Sequence, residues 1–304
     1  HLDLIVANRA ADNLSVLLNN GDGTFAALGD AVVDLDQATI AADLNNDGVD
    51  DLVTPDTADD ALLVSLGDAA GGFESARRFL VDSADPLEIA ALDLDGDGNL
   101  DLLSANGADD VSVLLGRGDG TFIAAEKLDA GQGNAAAHAD LNNDGAVDLA
   151  VVSEFDDAVL VFLNNGDGTF DEPLETFAGD SPQDIHAEDL DNDGIIDLAV
   201  ANSASTNILV LAGLGDGTFQ TPDVVTDDGA GLAGLAADLN NDGLPDVVST
   251  QVNDNELRIA LGNGDGTFTE GQAFPFDNEP DAVRAADFNG DGDVDLLACE
   301  DGAD

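Results

Sequence analysis

The side chains able to do chemistry in this chain are carboxylates, and they recur at a fixed spacing. Asp43-Leu44-Asn45-Asn46-Asp47-Gly48-Val49-Asp50-Asp51 places oxygen-bearing side chains at positions 1, 3, 5 and 9 of a loop, with glycine at position 6. Ca²⁺ takes six to eight oxygens, from carboxylates and carbonyls, in a flexible geometry. Alternate residues of a tight loop turn their side chains inward, and glycine permits the reversal that aims the carbonyl of position 7 at the same point. The first loop therefore offers Asp43, Asn45, Asp47, the Val49 carbonyl and Asp51. The set returns as Asp93, Asp95, Asp97, Asn99 and Asp101, and again as Asp140, Asn142, Asp144, Ala146 and Asp148. It recurs as Asp189, Asp191, Asp193, Ile195 and Asp197, then as Asp238, Asn240, Asp242, Leu244 and Asp246. The last copy is Asp287, Asn289, Asp291, Asp293 and Asp295. The variety at position 7 suits a ligand drawn from the backbone. Six such loops predict about six Ca²⁺ ions.

Other readings of the loops are weaker. Zn²⁺ lacks the Cys and His cluster that it prefers. Mg²⁺ keeps its waters and seldom enters an all-protein cage. The spacing is like the first half of an EF-hand loop, but it closes with Asp at position 9 and not Glu at position 12. The bland alternative is a set of Asx-rich turns that hold no ion.

Stepping from loops to the elements that carry them, the loop starts at 43, 93, 140, 189, 238 and 287 define a repeat of about 49 residues. A second motif, Gly-Asp-Gly-Thr-Phe, stands at 21–25, 118–122, 166–170, 215–219 and 264–268, with a degraded copy at Gly71-Gly72-Phe73. Pro86, Pro182 and Pro280 each precede a loop by seven residues. Each period reads as four short strands. Examples of the four, in order, are Ala38 to Ala42, Leu149 to Val152, Val111 to Leu115 or Val159 to Leu163, and Ala76 to Val81. No stretch carries a sustained helical period with caps. Four antiparallel strands per period predict an all-β fold, a β-propeller of four-stranded antiparallel blades with no substantial helix.

Blades are expected at about 35–82, 83–130, 131–179, 180–228 and 229–276, with partial blades at 1–34 and 277–304, all in a single domain over 1–304. Inner strands must be slim where they converge, which fits Ala41, Ala91, His138, Ala187, Ala236 and Ala285 two residues before each loop. The Thr-Phe pairs are expected to fill the space between neighbouring blades.

The balance of Lys+Arg 7 against Asp+Glu 65, a formal charge of −58, excludes a phosphate backbone or an anionic membrane surface as partner. Self-repulsion of that size disfavours a compact state unless cations neutralise it. The excess of acid fits either adaptation to high salt or a merely acidic secreted module. No apolar run is long enough to cross a bilayer, so membrane insertion is not expected. Cys299 is the only cysteine, which rules out an intrachain disulfide; its apolar neighbours from Val294 predict a small buried hydrophobe.

The DLNNDGxxDL loops alternating with NGDGTF turns resemble the FG-GAP/VCBS repeats of integrin-α-like β-propellers, over essentially the whole chain. The resemblance implies a propeller, usually seven-bladed, with Ca²⁺ in the hairpins joining first and second strands. It also implies an extracellular or cell-surface setting and a role in adhesion or ligand recognition, with an unknown protein or glycan as partner. The chain departs from the pattern at its start, where Asp3 matches position 9 of a loop. That predicts a fragment or processed form of a longer protein with flanking domains. The partial blades leave seven blades and a six-bladed closure both open, with the seven-bladed type favoured.

Three other features suggest sharper roles. Arg117-Gly118-Asp119 spells an adhesive tripeptide, yet Arg117 simply stands where Asn20, Asn165 and Asn263 stand in the other turns. His138 and His186 sit on neighbouring first strands, two and three residues before their loops, so alternation sends them to opposite faces and they are not expected to converge. Arg284 matches His186 in register and could take an acidic ligand near the axis. Asn13-Leu14-Ser15 is a glycosylation sequon, meaningful only in a secreted setting.

The expected function is a calcium-stabilised module for binding, adhesion or scaffolding, the ion being structural. The alternative is a propeller-based secreted enzyme, a polysaccharide lyase or hydrolase. The chain has no Tyr and no Trp, and no residue earns assignment as catalytic or cofactor-binding. Whether it is an enzyme stays open, leaning against.

Overall fold

The β-branched runs that follow each aspartate loop form the second strand of each sheet, and they are the most deeply buried part of the protein. The structure is a computed structural model that describes residues 4–8, 13–19, 24–32, 39–69, 72–81, 86–107, 110–131, 133–226, 234–251, 254–278 and 280–300. Asp3, Asn20, residues 21–23 of the first turn, Ala38 and Gly71, all singled out above, lie outside the described residues. So does the tail after Glu300.

The chain divides into two compact units, residues 1–134 with 164–171, and residues 135–163 with 172–304. In the first, β1 (Leu4–Asn8), β2 (Asn13–Asn19) and β3 (Phe25–Val32) make a three-stranded sheet. A four-stranded sheet follows from β4 (Ile40–Ala42), β5 (Asp51–Asp56), β6 (Ala61–Ser65) and β7 (Arg77–Leu80). The next comprises β8 (Pro86–Leu92), β9 (Asp101–Asn106), β10 (Asp110–Gly116) and β11 (Phe122–Asp129).

The remaining sheets begin with β12 (Gly133–Ala139), β13 (Asp148–Ser153), β14 (Ala158–Phe162) and β15 (Leu174–Phe177). They continue with β16 (Pro182–Glu188), β17 (Asp197–Asn202), β18 (Asn207–Leu211) and β19 (Asp223–Thr226). Then come β20 (Gly234–Ala237), β21 (Asp246–Gln251), β22 (Glu256–Gly262) and β23 (Phe268–Pro275), and finally the pair β24 (Pro280–Ala286) and β25 (Asp295–Glu300). Every sheet is an antiparallel meander in chain order, and no helix occurs among the described residues. The all-β, four-stranded blade expected from the repeat is what forms.

The sequence pattern explains the layering. All six residues of β5, β9, β13, β17 and β21 are buried, on both faces of the strand. Outer strands such as β7 and β15 are mostly exposed, Leu80 and Phe177 included. Between the β4–β7 and β8–β11 sheets lies a core of Leu44, Val53, Leu62, Val64, Leu102 and Leu114, closed by Phe122. In the second unit, Ala137, Val152, Val161, Ile185, Val200 and Leu211 form the equivalent core, with Phe219 packed against it. The Thr-Phe turns do therefore fill the gaps between sheets. The marker prolines open β8, β16 and β24, and a bulge follows each, a position where a missing N–H breaks no ladder. One expectation fails: Cys299 is exposed, on β25. The apolar run there alternates, burying Ala298 partly against Val283 and turning the thiol to the other face.

Candidate metal centre

Each loop leaves a first strand at position 1 and enters a second strand at position 9. Its shape is held by its own side chains. Asp43 accepts the Asp47 amide on Oδ1 (3.1 Å) and the Gly48 amide on Oδ2 (2.8 Å), while Asn45 Oδ1 accepts the Asp47 amide (2.9 Å). Asp47 Oδ1 in turn accepts the Val49 amide at 2.9 Å. The loops beginning at Asp140, Asp189 and Asp238 repeat this pattern. Positions 1, 3 and 5 thus turn inward.

Two features escaped the sequence reading. Position 4 is left-handed as well as position 6. Asn46, Asn143, Asn192 and Asn241 have φ of 59–61°, and Gly96 or Gly290 takes the position otherwise. Asparagine and glycine are the residues that tolerate that conformation, so the Asn-Asn and Asp-Gly pairs of the loops were its signal. The second feature is the double attachment of position 9. Asp101, fully buried, accepts the Leu94 amide on Oδ2 and the Gly116 amide on Oδ1, each at 2.7 Å. Asp51, Asp197 and Asp246 do the same with Gly67, Gly213 and Gly262. The glycine two residues ahead of the turn at Gly67, Gly116, Gly213 and Gly262, replaced by asparagine at Asn164, was the available clue.

Electrostatics at these loops is strained by design of the sequence. Burial pushes the Asp51, Asp101 and Asp246 carboxyls above their ordinary value, against the pull of the two amides each accepts. Burial raises Asp197 to about 6; the Gly213 and Leu190 amides oppose this, and the neighbouring Asp191 and Asp193 charges add to it. Carboxylate oxygens of Asp93, Asp95 and Asp101 lie within 4.8 Å of one another, as do those of Asp189, Asp191 and Asp197. In the first of these groups, Asp93 Oδ1 is buried and accepts no hydrogen bond. A buried carboxylate oxygen without a donor costs free energy until a proton or cation meets it. Converging carboxylates with an orphaned oxygen are a donor set for a hard cation, so these acidic clusters can bind metal.

The sequence profile of the FG-GAP-like repeat matches five overlapping segments, residues 43–104, 93–151, 140–200, 189–249 and 238–298. The chain belongs to the FG-GAP-like repeat family. No curated protein matches it significantly in sequence. Solved structures share the fold. A lectin from Agrocybe aegerita, described as recognising non-reducing terminal N-acetylglucosamine, aligns with a TM-score of 0.63 at 22% identity, over 98% of this chain and 85% of that one. A putative 6-phosphogluconolactonase from Bacteroides uniformis aligns with a TM-score of 0.69 at 16% identity, over 97% and 86%. A protein from Lactobacillus plantarum reaches 0.66 at 16%, over 88% and 80%. At such identities the likeness establishes the β-propeller fold alone. No helix among the described residues is long and apolar enough to cross a membrane.

In this FG-GAP-like chain the loops also bind their neighbours. Leu44 O accepts the Gly120 amide (3.2 Å), Leu94 O the Asn164 side-chain amide (2.8 Å) and Leu141 O the Gly217 amide (3.1 Å). Each of these bonds joins position 2 of one loop to the turn of the next repeat. Arg117 behaves as a turn residue: its amide donates to Thr121 O at 3.0 Å, as Asn165 and Asn263 donate to Thr169 O and Thr267 O. Lys127, on the outer strand β11, pairs with Asp110. The sequon falls on β2.

The histidines stand on opposite sides, as alternation predicts. Alternation does separate them, since Ala137 and Ile185 enter the shared core and His138 and His186 turn out of it. They nevertheless lie close enough for His186 to sense the charge of His138, and also those of Asp184 and Arg284.

Proposed function

We propose that this chain is a calcium-stabilised extracellular β-propeller module for binding, adhesion or scaffolding, in which the ion has a structural role. The observation that carries the reading is the orphaned, buried Asp93 Oδ1 beside Asp95 and Asp101. It occurs in a loop that the chain repeats six times. The side chains of positions 1, 3, 5 and 9 and the carbonyl of position 7 would hold the ion in each loop. Bound Ca²⁺ would supply positive charge where carboxylates are crowded. The chain's own residues do the rest: positions 4 and 6 fix the loop backbone, and position 9 ties it to the sheet. No paired helices flank the loops among the described residues, so binding would stiffen a hairpin and not throw a switch.

A cation that binds only the folded state stabilises it by about 2.7 kcal/mol at a concentration 100 times its dissociation constant. Calorimetry of the chain with saturating Ca²⁺ and with excess chelator tests the reading. The melting temperature should fall by several degrees in chelator, and an unchanged curve would sink the proposal. Pull-downs on cell-surface protein and glycan arrays, with and without Ca²⁺, address the binding role.

A further inference from the structure

The loops are bonded to one another through side chains at position 4. In the loop beginning at Asp43, Asn46 Nδ2 donates at 3.0 Å to Asn99 Oδ1, at position 7 of the next loop. Asn99 Nδ2 extends the contact to Asp97 Oδ2 at 2.9 Å, and Asp97 stands at ligand position 5. Asn241 Nδ2 likewise donates to Asp293 Oδ1 at 2.6 Å, again from position 4 to position 7 of the next loop. Asn192 reaches the Gly243 carbonyl at 3.4 Å, beyond the usual range of such bonds.

The residue types explain which loops are joined. A side-chain donor at position 4 needs a side-chain acceptor at position 7 of the following loop, and only Asn99 and Asp293 supply one. Both receiving loops carry glycine at position 4, Gly96 and Gly290, so no side chain there extends the link. The loop after Asn143 has Ile195 at position 7. Asn143 donates to no atom of that loop among the described residues; its Nδ2 lies against Gly215, where a Cβ would stand 2.9 Å away. Two bonded pairs result, the loops at Asp43 and Asp93 in one compact unit and those at Asp238 and Asp287 in the other.

We propose that Ca²⁺ binding is positively coupled within each of these two pairs, and uncoupled between the loops at Asp140 and Asp189. The inference rests on the calcium reading above. Position 4 lies between ligand positions 3 and 5 and holds a left-handed backbone, with φ of 59° at Asn46 and 60° at Asn241. Filling the first loop of a pair therefore pins the asparagine with its donor already aimed. Position 7 of the second loop, whose carbonyl is a ligand, then has less freedom to lose when its own loop fills. Linkage makes the effect mutual, each loop strengthening the other by the same factor. The factor is bounded by the bond that carries it, so about fivefold is expected through Asn46 and Asn99. Asn241 ends on a carboxylate, where hydrogen bonds are stronger, and about tenfold is expected there. Repulsion between cations acts between all neighbouring loops, and the unbonded loops at Asp140 and Asp189 measure it.

The test is a Ca²⁺ titration of the full chain followed by nuclear magnetic resonance, with one probe per loop. Gly48, Gly98, Gly145, Gly194, Gly243 and Gly292 each donate an amide to the position 1 carboxylate of their own loop, so their signals report the loops separately. Asp47→Ala removes a ligand from the loop at Asp43 and should weaken the loop at Asp93 about fivefold, read at Gly98. Asp144→Ala should leave the loop at Asp189 unchanged, read at Gly194. Asn46→Gly keeps the backbone and every ligand but loses the bond. In that background Asp47→Ala should no longer affect Gly98. Asn46 and Asp47 are exposed, so melting curves of these variants in chelator separate lost coupling from lost fold. Independent filling of the loops at Asp43 and Asp93 would overturn the proposal, as would a mutual effect that survives Asn46→Gly. Coupling of equal strength between the loops at Asp140 and Asp189 would overturn it too. If no glycine signal moves with Ca²⁺, the calcium reading fails and takes this inference with it; signals that move independently of one another sink the inference alone.

Discussion

Asp101 Oδ1 accepts the backbone amide of Gly116 at 2.7 Å, joining the first residue of β9 to the last of β10 beneath the loop. The glycine is required by crowding: a Cβ there would stand 2.1 Å from Leu100 O, the carbonyl just before Asp101. The same approach recurs at Gly67, Gly213 and Gly262. A buried carboxylate, a close backbone crossing and the loop that begins eight residues earlier are thus one unit.

Gly116→Ala should therefore break both the crossing and the hydrogen bond. Separating the two strands far enough for a methyl group leaves buried groups unpaired, at a cost of about 2–3 kcal/mol. Urea denaturation measures it directly. A variant as stable as the parent would mean that the strands part at no cost.

Much of this was legible in the sequence because the repeat writes each feature several times. Strand number, the buried second strands and the inward positions 1, 3 and 5 follow from period and alternation. What was illegible depends on contacts between repeats. No pattern within one loop announces that Asp101 reaches Gly116, or that Leu44 O meets Gly120 of the next turn. Cys299 was misjudged because hydrophobicity alone does not say which face of a strand is covered.

The loop beginning at Asp93 offers the sharpest test of the cation reading. Asp93→Asn keeps the shape but removes a charge from the group of Asp93, Asp95 and Asp101. In a Ca²⁺ titration the stoichiometry should fall by one while the loops not bonded to it keep their affinity. In the absence of cation the same change relieves repulsion, so the variant should melt no lower than the parent in chelator. A variant that loses stability equally with and without Ca²⁺ would point to a purely structural hydrogen-bonding role.

Acid should expose the same strain. Asp197 titrates at about 6 in the fold against an ordinary 3.8, so the folded chain holds its proton more tightly than the unfolded one. Such a group adds stability that is complete below the unfolded value and is lost as pH rises through the folded one. Asp51, Asp101, Asp184 and Asp246 are shifted in the same direction by burial. The turn carboxylates act the other way. Threonine hydroxyls hold Asp119, Asp167, Asp216 and Asp265 below the usual range, so their contribution is present above 3.8 and lost as pH falls through their folded values. The cation-free chain should gain stability from about pH 7 down to about pH 5 and lose it below about pH 4. Bound Ca²⁺ keeps the loop carboxylates ionised and should reverse the upper slope. Melting temperatures measured across this range, with and without Ca²⁺, decide the matter; a cation-free protein that only weakens on acidification from neutral pH contradicts it.

The last prediction concerns the links between loops. Asn241 donates from Nδ2 to Asp293 Oδ1 at 2.6 Å, and Asn46 donates to Asn99 Oδ1 at 3.0 Å, each joining position 4 of one loop to position 7 of the next. Asn241 also holds φ at 60°, which costs an ordinary L-residue about 1–2 kcal/mol. The two contributions separate by substitution. Asn241→Gly loses the side-chain bond but adopts the backbone freely, so it should fall by no more than about 1 kcal/mol, as exposed hydrogen bonds do. Asn241→Ala loses both and should be the less stable of the two by about 1 kcal/mol. If the bond to Asp293 also steadies its carbonyl as a ligand, both variants should weaken Ca²⁺ at the loop beginning at Asp287, with the loop at Asp140 unaffected. Chemical denaturation gives the first comparison and a Ca²⁺ titration the second. Equal stability of the alanine and glycine variants would show that the left-handed residue, and not merely its side chain, is dispensable.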